Sequence, residues 1–206
     1  MIRAIFLDVD GTLISFSTHE IPASARRALT QAHERGVRLF IATGRAANDL
    51  GPLEGIPYDG VVSLNGARCV ANDGRVVSLH PIPRADFERA LALSEEQDFA
   101  MGLELEEGVF VNRVTPDVKR VAHMVAHPVP EQTDLRELFG RVECCQLCFY
   151  FDAETQRRVM AELPTLVASR WCPIFADVNV AGIDKATGME EFMRSCLLYT
   201  SDAADE

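Results

Sequence analysis

The sequence predicts an α/β protein: a parallel core sheet interrupted by an inserted α+β domain. Three observations point there. Arg3 to Asp8 is a short β-rich run closed by Asp10-Gly11-Thr12; a helical pattern follows from Pro22; Val37 to Ala42 then resumes as a strand. Together they make a β-α-β unit, whose crossover is right-handed and whose strands are parallel. From Arg84 to about Asn179 helical and strand patterns restart with an apolar set of their own. After residue 180 the chain returns to the first domain.

Element by element, Arg3 to Asp8 is a buried strand ending in a turn. In the helix that follows, Pro22 suits the first turn, Ala25, Leu29 and Ala32 share a face, and Gly36 is placed to cap the end. Val61 to Leu64 is a third core strand, and Ala67 to Val70 forms a hairpin with Arg75 to Leu79 across Asn72-Asp73-Gly74, residues that tolerate positive φ. A boundary falls near His80-Pro81-Ile82-Pro83. In the insert, a helix places Phe87, Ala90, Leu91 and Ser94 on one face, strands lie around 99 to 112, and a helix opens at Thr115-Pro116. Val142 to Phe151 is a strand, Ala153 to Leu163 a helix, and Phe175 to Val180 a strand. The domains are therefore 1–80 with 181–195, and 81–180.

Composition narrows the function. A hydrophobic fraction of 48% over 206 residues is ample for packed cores. A formal charge of -11 argues against nucleic acid, whose binding rests on clustered Lys and Arg, and favours small soluble partners. No apolar run is long enough to cross a bilayer, and Met1-Ile2-Arg3 leads into a strand rather than a cleavable signal, so no membrane association and a cytoplasmic location are expected. The local density of Cys144, Cys145 and Cys148 suits a sheet face better than a zinc site, because no second CxxC or paired His follows.

Asp8 and Asp10 stand two residues apart at the end of a buried strand, where ligands of parallel sheets collect. Two carboxylates there suit Mg²⁺, a hard cation, and one acid can attack phosphorus while the other handles the leaving-group proton. The same run is also the sequence of a solvated Asx turn. Thr43-Gly44-Arg45 follows the second strand, and a hydroxyl with close backbone N–H groups makes a phosphate cradle; Thr43 equally suits a helix N-cap. Lys185, where the chain re-enters the first domain and starts a helix, brings an ammonium that screens this charge, or is simply a solvated lysine.

Asp8-Val9-Asp10-Gly11-Thr12, Thr43-Gly44-Arg45, Ser63-Leu64-Asn65-Gly66-Ala67 and Gly182-Ile183-Asp184-Lys185 occur in that order. This set resembles the haloacid dehalogenase superfamily, subfamily IIB, the Cof-type phosphatases. The resemblance implies a Rossmann-like core, Asp8 as the nucleophile that forms an aspartyl-phosphate, and Asp10 as general acid and then base. It further implies that Thr43 and Lys185 hold phosphate, and that Asp8 and the Asp10 backbone carbonyl ligate Mg²⁺. The insert is then the cap that selects substrate, with Gly11, Gly44, Arg45 and Asn65 on the substrate side; for Arg45 and Asn65 a surface and a turn role stay open. The expected substrate is a small phosphorylated metabolite such as a sugar phosphate. A phosphomutase and a non-catalytic metabolite binder remain as alternatives, and oligomeric state is open.

One feature departs from the family pattern. No Gly-Asp-x-x-Asn-Asp follows Lys185, so a third protein ligand for Mg²⁺ is missing. The run from Cys196 to Glu206 reads as the translation of a sequencing-adapter end, which makes 196–206 a non-native tail and the core a truncated one; Asp202 and Asp205 as substitute ligands are the competing reading. Truncation implies impaired activity and an unpaired first strand prone to association.

Overall fold

The computed structural model describes residues 2–15, 18 and 20–195. These divide into two compact units, one built from the chain up to Leu79 together with the residues from Ile183, the other from His80–Gly182. The tail from Cys196, with Asp202 and Asp205, lies outside the described residues.

In the first unit β1 (Ala4–Leu7), α1 (Ala23–Glu34), β2 (Arg38–Ala42) and β3 (Gly60–Ser63) alternate strand and crossover, followed by β4 (Arg68–Ala71) and β5 (Val76–Leu79). The sheet order is β1-β2-β3-β4-β5, with β1, β2 and β3 parallel and the β3-β4-β5 meander antiparallel. Central β2 is buried on both faces: Leu39 and Ile41 join a cluster with Val9, Leu29 and Leu53, while Phe40 and Ala42 join another with Val62 and Cys69. Among the described residues β1 is the outer strand, half-buried along its length.

Pro22 stands just outside α1 rather than in its first turn; its carbonyl accepts the Arg26 N–H at 3.1 Å. Gly36, at φ +84°, ends the helix with its N–H on the His33 carbonyl. Leu64 is not part of β3. Leu64, Asn65 and Gly66 take three successive positive φ values, which fold the chain back before β4.

The second unit contains α2 (Arg84–Glu96), β6 (Ala100–Leu105), β7 (Gly108–Val111), α3 (Pro116–Met124), β8 (Glu131–Gln132), α4 (Leu135–Phe139), β9 (Gln146–Tyr150), α5 (Ala153–Ala161), β10 (Leu166–Cys172) and β11 (Phe175–Val180). Its sheet order is β10-β11-β9-β6-β7-β8, antiparallel except for the short β7-β8 pair. One face packs Phe87, Leu91, Met101, Leu147 and Phe149, with Phe87 stacked on Phe139 at 4.0 Å between centroids; the other packs Val111, Val118, Tyr150 and Phe175.

One sequence expectation is corrected in this unit. The strand expected over Val142 to Phe151 is only Gln146–Tyr150, because the preceding carbonyls are taken outside the ladder: Cys144 O accepts Ile82 N at 2.8 Å and Cys145 O accepts Asn179 Nδ2 at 3.0 Å. β10, absent from the sequence reading, is an edge strand whose burial alternates along its length while its sequence does not, with Val167 and Trp171 at exposed positions and Arg170 at a half-buried one. Arg170 Nη1 satisfies the carbonyls of Phe151, Cys172 and Pro173, so a charged residue serves the strand that it disguises.

The chain then returns as α6 (Lys185–Ser195). Asp184 caps it, accepting from the Thr187 N–H at 2.8 Å and hydroxyl at 3.1 Å, and these bonds hold its carboxyl below the usual carboxylate range. α6 seats on the sheet through glycines. A Cβ on Gly188 would lie 2.5 Å from Val62 Cγ1, and one on Gly60 2.6 Å from Phe192 Cζ, so both positions exclude side chains; Phe192 is fully buried against Phe40.

Candidate active site

The parallel register brings the loops after β1 and β2 side by side: Leu7 pairs with Ile41, and Asp8 and Thr43 follow just beyond. The loop after β1 is a tight turn in which Leu13 N donates to the carbonyls of Asp8 and Val9 and Ile14 N to that of Val9. Gly11 stands at φ +78°, and its N–H donates to Ile14 O at 2.9 Å, so in this structure it shapes the turn.

Lys185 meets Asp8 across most of the chain. Its Nζ lies 2.5 Å from Asp8 Oδ1, each side chain 36% exposed, while Thr12 Oγ1 donates to Oδ2 at 3.3 Å. The close approach that allows this is at Gly66, where a Cβ would fall 1.9 Å from the Asp184 carbonyl oxygen. The backbone of the turn after β3 therefore sits directly against the residue that precedes Lys185.

The same turn is stitched to the loop after β2. Asn65 N donates to Thr43 O and Leu64 N to Arg45 O, each at 3.0 Å, and a Cβ on Gly44 would lie 3.0 Å from Asn65 Oδ1. Thr43 is buried, with its hydroxyl accepting the Arg45 N–H at 3.1 Å. Arg45 turns its guanidinium onto Asp10: Nε to Oδ2 at 2.9 Å and Nη2 to Oδ1 at 2.7 Å, with Nη1 3.2 Å from Asp49 Oδ2. Asp10 raises the guanidinium's pKa further above its already high ordinary value.

Asp8, Lys185 and Thr12 are thus brought together, Arg45 is paired with Asp10, and Thr43, Gly44 and Asn65 form one hydrogen-bonded turn cluster at the same strand ends. The donor set suits a hard cation: the half-exposed Asp8 carboxylate and the Asp10 main-chain carbonyl are oxygens, and the Asp10 side chain is engaged by Arg45. Sequence reasoning did not find the Arg45-Asp10-Asp49 chain, because residues 35 positions apart carry no local sign of pairing.

It also missed a polar group on the second unit's sheet. Glu104, Cys148 and Asp177 place ligand atoms within 4.8 Å of one another, and the buried Gln146 Nε2 donates to Glu104 at 2.6 Å and Asp177 at 3.2 Å. Cys148 pairs in register with Asp177, so knowing the strand pairing would have revealed it. Burial and these carboxylates push the Cys148 thiol well up.

Among the described residues no helix is long and apolar enough to cross a membrane. The family model of haloacid dehalogenase-like hydrolases matches residues 5–202. BT1666 of Bacteroides thetaiotaomicron, described among phosphatases of this superfamily, superposes with a TM-score of 0.91 at 53% identity, over 96% of this chain and 74% of that one. BT4131, a subclass IIB sugar phosphatase, gives 0.83 at 31% identity, over 94% of this chain and 76% of that one. YkrA of Bacillus subtilis is 26% identical over 195 residues, which is 92% of this chain and 72% of that protein. With a family match along nearly its whole length, the chain belongs to the haloacid dehalogenase-like hydrolases, in the company of subclass IIB phosphatases.

Proposed function

We propose that the protein is a cytoplasmic Mg²⁺-dependent phosphatase that hydrolyses a small phosphorylated metabolite, a sugar phosphate in the first instance, through an aspartyl-phosphate on Asp8. The observation that carries this reading is the contact of Lys185 Nζ with Asp8 Oδ1 at 2.5 Å, at the end of a parallel strand. An ammonium there aims the Asp8 carboxylate and meets the charge that grows on the phosphoryl oxygens. The sugar phosphatase at 31% identity supports the substrate class.

In the first step an Asp8 oxygen bonds to phosphorus, the bond to the leaving-group oxygen breaks, and Asp10 gives that oxygen a proton. In the second, Asp10 takes a proton from water, whose oxygen bonds to phosphorus and frees Asp8 and inorganic phosphate. Thr43 and Lys185 hold phosphoryl oxygens, with Gly11, Gly44, Arg45 and Asn65 on the substrate side. Enzymes of this superfamily generally use a divalent metal ion. Asp8 and the Asp10 carbonyl would hold Mg²⁺, which supplies charge neutralisation between carboxylate and phosphate. The unit from His80 to Gly182 is proposed as the cap that selects substrate.

The test is Asp8→Asn assayed on a panel of sugar phosphates with Mg²⁺. Hydrolysis should fall to background with the fold unchanged; persistent turnover would refute the nucleophile.

A further inference from the structure

We propose that Leu64 is a positioning residue for phosphate binding: its left-handed backbone turns the tip of the β3-β4 hairpin onto the loop after β2 and fixes Thr43 before phosphate arrives. The inference rests on the reading of Thr43 as a residue that holds a phosphoryl oxygen.

Left to local preference, this hairpin would be simpler. Asn65 at φ +56° and ψ +30°, Gly66 at φ +99°, and the Ala67 N–H on the Leu64 carbonyl at 3.1 Å make the tight turn that an Asn-Gly pair favours. Such a two-residue turn joins two strands directly, with the residue on either side extended and paired. Leu64 departs from that pattern and stands at φ +50°, a conformation that Gly and Asn take far more readily than leucine. A bulky residue stays there only where its surroundings hold it.

The departure is directed at the loop after β2. With Leu64 turned out of the ladder, its N–H reaches the Arg45 carbonyl, and the next N–H, that of Asn65, reaches the Thr43 carbonyl. The Thr43 N–H is in turn bonded to the Val62 carbonyl at 2.8 Å. Both main-chain polar groups of Thr43 are thereby held by β3 and its turn, and the buried side chain of Leu64 anchors that turn. The Thr43 hydroxyl accepts the Arg45 N–H at 3.1 Å and so keeps its own hydrogen to donate, which is what a phosphoryl oxygen requires. A donor fixed beforehand loses less freedom when the ligand comes, and binding is tighter for it.

Inorganic phosphate, with Mg²⁺ present, is the probe. Leu64→Gly and Leu64→Ala delete nearly the same packing, but only glycine takes positive φ without steric cost. By titration calorimetry Leu64→Ala should bind phosphate about fivefold more weakly than Leu64→Gly, the scale set by the cost of one left-handed residue. A residue that served stability alone would destabilise both variants and leave their phosphate affinities alike, a result that overturns the proposal. Amide exchange of the unmutated protein decides the matter even where a variant does not fold. The Leu64 and Asn65 N–H groups should be as protected without phosphate as with it; protection that arises only with phosphate overturns the positioning role. Thr43→Val separates the two readings. If it leaves phosphate affinity unmoved, Thr43 does not hold phosphate and the proposal falls with that reading; if affinity drops, a failure of the Leu64 pair is a failure of the positioning role alone.

Discussion

The unit around β9 is made from one unbroken stretch, His80–Gly182, whereas the unit that carries Asp8 is closed by residues from Ile183 onward. In the first, burial is dense and aromatic: Phe87, Phe99, Phe139, Phe149 and Phe151 lie in one cluster. In the second, the decisive contacts are polar, half-exposed and distant in sequence, Lys185 on Asp8 and Arg45 on Asp10. The core of one unit is thus aromatic packing with its ion pairs mostly at the surface, while in the other close backbone approaches at Gly60, Gly66 and Gly188 seat the helix that carries a single lysine.

The largest effect that sharpens this contrast is expected from Phe87→Ala. Phe87 is fully buried and stacked on Phe139, so its loss should cost about 4 kcal/mol, read from the urea transition of Trp171, the only tryptophan, which lies in the same unit. A change below about 1 kcal/mol would mean that the aromatic cluster does not hold this unit.

Next comes Gly66→Ala. The added Cβ would overlap the Asp184 carbonyl and sits at φ +99°, so Lys185 is displaced and turnover should drop about a hundredfold, with the Trp171 transition unmoved. If that transition shifted as far as it does for Phe87→Ala, the division of labour between the units would fail.

Asp184→Ala is a smaller perturbation of the same helix. Loss of the cap on Thr187 should cost about 1 kcal/mol by thermal unfolding. The Asp184 carboxyl is held below its ordinary value of 3.8, so the native state binds fewer protons there than the unfolded chain. Its contribution is present above that value and is lost as pH falls through the lower folded one; a variant whose deficit persists unchanged in acid would show that the cap is not ionic.

The smallest effect is alkaline. Burial pushes the Cys69 thiol from 9.0 up to about 11, so the folded form retains a proton that the unfolded chain loses. The stabilisation is complete below pH 9.0 and fades as pH rises towards about 11, a decline that Cys69→Ala should flatten in pH-dependent denaturation.

The β-α-β order, the hairpin at Asn72-Asp73-Gly74 and the helix opening at Thr115 were legible, because apolar periodicity and turn chemistry are local. Asp8 with Lys185 was legible from the chain's return to the first domain at Lys185 and from the resemblance of motifs, although nothing near either residue signals a partner 177 positions away. Asn65-Gly66 reads as an ordinary turn, and its tight seat on Asp184 needs the tertiary fold to be seen. β10 was hidden because Val167 and Trp171 stand at its exposed positions and Arg170 at a half-buried one, which breaks the apolar alternation by which strands are found.

The central claim is a covalent bond between Asp8 and phosphorus. The direct measurement is to quench the protein in acid during turnover of a sugar phosphate with Mg²⁺, reduce with borohydride, and sequence the peptide around residue 8 by mass spectrometry. An acyl phosphate at Asp8 is converted by this treatment to homoserine, which is the result predicted; an unmodified Asp8 under active turnover, or homoserine at another aspartate, would contradict the account.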